Sequence, residues 1–122
     1  MVGLFVKYGI DDCADIMPLR NMYRSHIVQI AEYMQIPQDI INRTPNPDIL
    51  PGITDKYQGY FELDYLNVEL IIIGHQRGLE IKEISNQLNL SEQQVSRIIE
   101  VIHLSDNFRN HNQAPTIDKI RF

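Results

Sequence analysis

Residues 42–57 read N-R-T-P-N-P-D-I-L-P-G-I-T-D-K-Y. Pro45, Pro47 and Pro51 fix φ and remove backbone donors, and Gly52 is free to take positive φ, so the stretch continues neither a helix nor a central strand. It reads as a loop. Loops longer than about 12–15 residues are uncommon inside compact domains, which makes this one either disordered or a functional lid, with a solvated surface connection as the plainer alternative. Asp48, Thr54, Asp55 and Lys56 give it polar groups that suit a phosphate-rich ligand or a metal.

Helical periodicity flanks the loop on both sides. Upstream, Tyr23, Ile27, Ile30, Ala31 and Met34 recur at spacings of three and four and predict an amphipathic helix over 22–34. Pro37 ends it, and residues 38–41 predict one further helical turn that returns Ile40 and Ile41 to the same stripe. Downstream, Asp64 is a candidate N-cap for a helix over 65–77. There Leu66, Leu70 and Ile73 share a face that Val68, Ile71 and Ile72 widen, a band broad enough to predict burial on more than one side. Gly78 stands where a C′ glycine closes a helix. Two more helices are predicted over 80–88 and 92–104, carrying Ile81, Ile84 and Leu88, then Val95, Ile98, Ile99 and Ile102. Ser91-Glu92-Gln93-Gln94 matches a capping box at the start of the second. The first nine residues are ambiguous between strand and helix, and 16–18 read as a short extended segment because Pro18 biases its predecessor away from the helical region. The tail, 105–122, reads as irregular, docked in part by Ile117 and Ile120.

The chain has 122 residues, is 43% hydrophobic and carries one cysteine, Cys13, with a formal charge of −5. Such a length supports one domain with its own core. The acidic balance argues against non-specific attraction to nucleic acid or an anionic membrane. A single cysteine excludes an intrachain disulfide and a cysteine-cluster metal site. No apolar run approaches the ~20 residues that span a bilayer, and the N-terminal apolar run lacks the basic start of a secretory signal, so the expected location is the cytoplasm.

In order, G-L-F-V-K-Y-G, A-D-I-M-P-L, a helix, I-P-Q-D-I-I-N-R-T-P-N-P-D-I-L-P-G-I-T-D and two capped helices make a combination that resembles the C-terminal half of the ammonia-dependent NAD synthetase family. The resemblance implies a mostly α segment, the C-terminal helical portion of an adenine nucleotide α-hydrolase-like, Rossmann-like α/β fold, with at most one short strand near residues 13–18. It divides the chain into a substrate-contacting loop and helix (1–41), a lid loop (42–62), helical pairs (63–104) and a tail (105–122). The implied activity is an ATP- and magnesium-dependent ligation in a cytoplasmic homodimer, converting deamido-NAD and ammonia to NAD through an adenylated intermediate.

Position by position, the resemblance assigns Lys7 and Asp15 to deamido-NAD. Asp11 and Asp12 are alternatives for the second role, because G-I-D-D-C-A-D is one residue longer here than the family's run. Arg24 stands where the family has an ATP-contacting lysine, and Asn46 where a threonine or serine contacts ATP. Pro45, Asp48, Pro51, Gly52, Thr54 and Asp55 match the lid. Ser105-Asp106-Asn107-Phe108-Arg109 departs from the family's substrate-contacting run. No catalytic residue and no metal ligand is assigned in this segment. The family's S-G-G-x-D-S phosphate loop and its metal-binding glutamate belong to an N-terminal half with no counterpart here, so the chain is expected to be a fragment that is inactive alone.

Two readings from other classes compete. One is a helix-turn-helix nucleic-acid module over residues 80–104, with Gln93, Gln94, Ser96 and Arg97 as base-reading candidates. Against it stand Glu80, Glu83, Glu92 and Glu100 on the same pair. The other is a helical interaction module without chemistry. His26, His75, His103 and His111 lack the mutual spacing of a zinc site.

Overall fold

The computed structural model describes residues 15–16, 18–19, 21–46 and 51–109, with side chains up to 105. Among the described residues there are six helices: α1 (Arg24–Tyr33), α2 (Gln38–Ile41), α3 (Lys56–Phe61), α4 (Tyr65–Gln76), α5 (Ile81–Leu88) and α6 (Glu92–Arg109). No strand occurs among the described residues, so the mostly α expectation holds. The expectation allows at most one short strand near 13–18; the described positions 15, 16 and 18 are not in a strand, and 13, 14 and 17 lie outside the described residues.

The core lies between α4, α5 and α6. Val68 and Ile71 on α4, Ile84 on α5, and Val95 and Ile98 on α6 are fully buried, with Leu63, Ile72, Ile99 and Ile102 around them. Tyr57 and Phe61 of α3 pack against this cluster. Each fully buried aliphatic side chain contributes about 1.5–3 kcal/mol relative to exposure, so these three helices hold most of the folding energy.

Local sequence sets the boundaries. Asp64 caps α4, its carboxylate accepting from the Asn67 backbone N–H at 2.8 Å and the Asn67 side-chain amide at 3.0 Å. At the other end Gly78, at φ +79°, lets the Leu79 and Gly78 N–H groups donate to the Gly74 and His75 carbonyls, both at 3.0 Å. That is the paired bonding of a Schellman stop. The Ser91 box forms as expected: the Gln94 N–H donates to Ser91 Oγ at 3.2 Å and the Ser91 N–H to Gln94 Oε1 at 3.0 Å.

Four expectations change. Residues 56–61 are helical rather than loop, because Asp55 supplies an N-cap to Tyr57 and Gln58. Helix α6 runs five residues beyond 104, so the tail is helical rather than irregular over 105–109. On α4 the expected burial on more than one side occurs, with Val68, Glu69, Ile71, Ile72 and Gly74 buried, but it leaves out the Leu66–Leu70 face, where each side chain is 48% exposed. Finally, the stripe of α1 is only partly covered: Ile27 and Ala31 are half-buried and Met34 is 65% exposed, and of the two isoleucines expected back on it Ile41 is half-buried while Ile40 is exposed.

Candidate functional site

Helix α1 docks on α4 through its first turn. The buried Glu69 carboxylate accepts from the Ser25 backbone N–H at 3.3 and 3.4 Å. A negative charge at a helix N-terminus is stabilised by the unpaired N–H groups there. The Tyr23 hydroxyl donates to Gln76 Oε1 at 2.9 Å, and burial followed by the Glu69 charge pushes that phenol above its usual pKa.

This docking delivers Arg24 to the neck of the proline-rich loop. Its Nη2 donates to the Arg43 carbonyl at 2.9 Å, and its guanidinium carbon lies 5.4 Å from the centre of the Tyr65 ring. Arg24 Nε is buried without an acceptor among the described residues. Across the neck, the Lys56 N–H donates to the Pro45 carbonyl at 3.2 Å. The bond brings positions 45 and 56, on either side of the proline-rich stretch, together. Asp55 Oδ1 accepts from the Tyr57 and Gln58 N–H groups at 2.7 and 3.2 Å. Ile53 packs on α3 at Gly59, where a Cβ would stand 2.6 Å from Ile53 Cγ2.

Beside Arg24 lies a second cation. Lys56 Nζ is 5.1 Å from the Tyr57 ring centre, and the Tyr57 and Tyr65 rings are 6.2 Å apart. Two positive groups thus rest on two touching rings. Lys56 is held below its ordinary pKa by burial first and the Arg24 charge second, with Asp55 acting in the opposite sense. Tyr57 is pushed up, by burial and then by the Glu69 carboxylate. The cluster is a half-buried, electropositive niche with aromatic walls, suited chemically to an oxyanion.

Of the residues assigned from sequence, Arg24, Pro45 and Asp55 meet at this neck. Asn46 follows immediately, exposed, its N–H donating to the Thr44 carbonyl at 2.8 Å. Pro51, Gly52 and Thr54 lie on the exposed loop surface, and Asp15 is exposed ahead of α1. Lys7 and Asp48 lie outside the described residues. Lys56 is one of the loop's polar groups that the sequence marks as suited to a phosphate-rich ligand or a metal, whereas Tyr57 and Tyr65 carry no such mark.

No group of three or more His, Cys, Asp or Glu residues suited to a metal occurs among the described residues. No described helix is long and apolar enough to cross a membrane. The α5–α6 pair has the helix-turn-helix form, but Gln94 is spent in its capping box and Ser96 Oγ lies 3.4 Å from Glu100 Oε1. Two of its four base-reading candidates are therefore occupied internally.

A sequence profile of the family described as NAD synthase matches residues 1–112. The chain is 40% identical over 78 residues to the NH(3)-dependent NAD(+) synthetase of Coprothermobacter proteolyticus, covering 64% of this chain and 25% of that protein. It is 29% identical over 109 residues to the synthetase of the same name from Thermotoga maritima, covering 89% of this chain and 36% of the relative. With the Pyrococcus furiosus protein of that name it shares 28% identity, covering 98% of this chain and 46% of the relative. The chain thus spans between a quarter and a half of the length of these relatives.

Proposed function

The chain belongs to the NAD synthase family, and from that premise we propose that it supplies one side of the active site of an ammonia-dependent ligase making NAD from deamido-NAD. In the proposed reaction a carboxylate oxygen of deamido-NAD attacks the α-phosphorus of ATP and expels pyrophosphate. Ammonia then attacks the acyl carbon, the bond to AMP breaks, and the amide remains. Splitting the substitution in this way replaces a poor leaving group with a good one. The protein's share is positioning, charge stabilisation and exclusion of water.

In this reading Lys7 and Asp15 hold deamido-NAD, and Arg24 and Asn46 hold ATP. Pro45, Asp48, Pro51, Gly52, Thr54 and Asp55 belong to a lid that keeps water from the adenylate. The observation that carries it is the meeting of Arg24 with the pinned neck of the loop: one guanidinium both faces the niche and holds the Arg43 carbonyl. A nucleotide there is linked to the loop's base. The working protein is proposed to be a cytoplasmic homodimer, and the chain alone is proposed to be inactive.

The test is reconstitution. The chain is mixed with the complementary N-terminal segment of a relative, deamido-NAD, ATP, magnesium and ammonium, and NAD is followed by chromatography. NAD formation that falls at least tenfold in Arg24→Ala supports the reading. A folded complex that makes no NAD overturns it.

A further inference from the structure

Arg24 and Lys56 present two positive charges on one pair of touching tyrosine rings, and at Lys56 the repulsion from Arg24 outweighs the opposing Asp55 carboxylate. Asp55 has its Oδ1 committed to two α3 N–H groups, and Glu69 faces the first turn of α1. Like charges held together in a half-buried setting cost free energy that a bound anion recovers. Contact with a ring face satisfies a cation electrostatically but leaves its N–H donors directed elsewhere. Lys56 therefore retains donor capacity, and Arg24 retains Nε.

We propose that Lys56 is the second cation of a phosphate site shared with Arg24, taking an oxygen of the polyphosphate chain of a nucleotide at the neck of the 46–55 loop. The nucleotide's identity rests on the ligase reading above, whereas the oxyanion chemistry rests on the cluster itself. A polyphosphate fits better than a single carboxylate because it carries several charges and oxygens at a spacing that two neighbouring cations can divide. Lys56 also provides the backbone N–H that closes the loop on Pro45. A ligand gripped by its ammonium therefore lies beside the Lys56–Pro45 backbone contact.

The experiment uses the full chain with lysine side chains isotopically labelled, titrated with inorganic tripolyphosphate and, separately, with ATP. The Lys56 resonance is expected to move with saturation and the Lys82 resonance on α5 to stay still. Lys56→Met is expected to weaken tripolyphosphate about tenfold, the loss of one charge-assisted contact, and Lys56→Arg to restore most of it. Circular dichroism of both variants establishes that they are folded. Tripolyphosphate bound as tightly by folded Lys56→Met as by the parent overturns the proposal, as does saturation with no movement at Lys56. If ATP binds through Arg24 but is indifferent to Lys56, the ligase reading stands and this inference falls. If tripolyphosphate moves Lys56 while ATP fails to bind, the anion site stands and the nucleotide assignment falls. An absence of binding by either ligand removes both.

Discussion

Lys56 and Tyr57 are adjacent, share one niche, and titrate with opposite consequences for stability. Burial, followed by the Arg24 charge, holds the folded-state pKa of Lys56 below its usual 10.5. Between that lowered value and 10.5 the unfolded chain binds more protons, so stability rises with pH across this window. Tyr57, raised above 10.0 by burial and Glu69, behaves in reverse. Its contribution is complete below pH 10 and is lost as pH climbs through the folded-state value. Tyr23 adds to the same alkaline loss. Urea midpoints of the parent should therefore climb on approaching pH 10 and then decline. Lys56→Met should flatten the climb, and Tyr57→Phe should soften the decline. A Lys56→Met profile parallel to the parent's from neutral pH to 10.5 would show that the niche does not perturb this lysine.

Helix packing depends on one absent side chain. Gly74 sits buried on α4, and a Cβ there would stand 2.9 Å from Ile84 Cγ1 and 3.1 Å from Cδ1. Ile84 is itself fully enclosed and has little room to yield. Gly74→Ala gains about 1 kcal/mol of helix propensity and loses about 1–3 kcal/mol to overpacking, a net destabilisation of about 1 kcal/mol. Chemical denaturation checks the sign, and Ile84→Val in the same background should recover part of the loss. The sequence makes α4, α5 and α6 legible because their signals are local: Asp64, Ser91 with Gln94, and Gly78 each act within one turn. Helix α3 is hidden because Pro45, Pro47 and Pro51 dominate the reading of its surroundings, and its single signal is Asp55, which looks like a lid residue. The open Leu66–Leu70 face is hidden for another reason, since hydrophobicity marks which side chains seek cover and not which neighbour arrives. The site is half legible on the same grounds. Arg24 follows from its place in the resembling order of motifs, whereas the meeting of Lys56, Tyr57 and Tyr65 depends on the Pro45 contact that closes the loop.

Across the whole molecule the described residues divide into a packed unit, α3 to α6, and a docked one, α1 with α2. No side chain of α1 or α2 is buried, and Tyr33 is 89% exposed. Helix α1 is attached mainly through its first turn, by the Ser25–Glu69 contact and by Arg24, with the adjoining Tyr23–Gln76 bond. Local opening free energy follows buried contact, so the docked unit should open without unfolding the rest. Hydrogen exchange is expected to be fast over Arg24–Tyr33 and slow over Tyr65–Gln76 and the first turns of α6. Glu69→Gln should quicken exchange on α1 alone, because it weakens the acceptor that holds that helix's N-terminus while leaving the α4–α6 packing in place. Since Arg24 rides on α1, the same substitution should loosen the niche: the tripolyphosphate affinity should fall although Glu69 is assigned no contact with the ligand. Equal protection of α1 and α5 in the parent would mean that α1 is part of the cooperative core, and the coupling from Glu69 through Arg24 to the loop would then have no movable part.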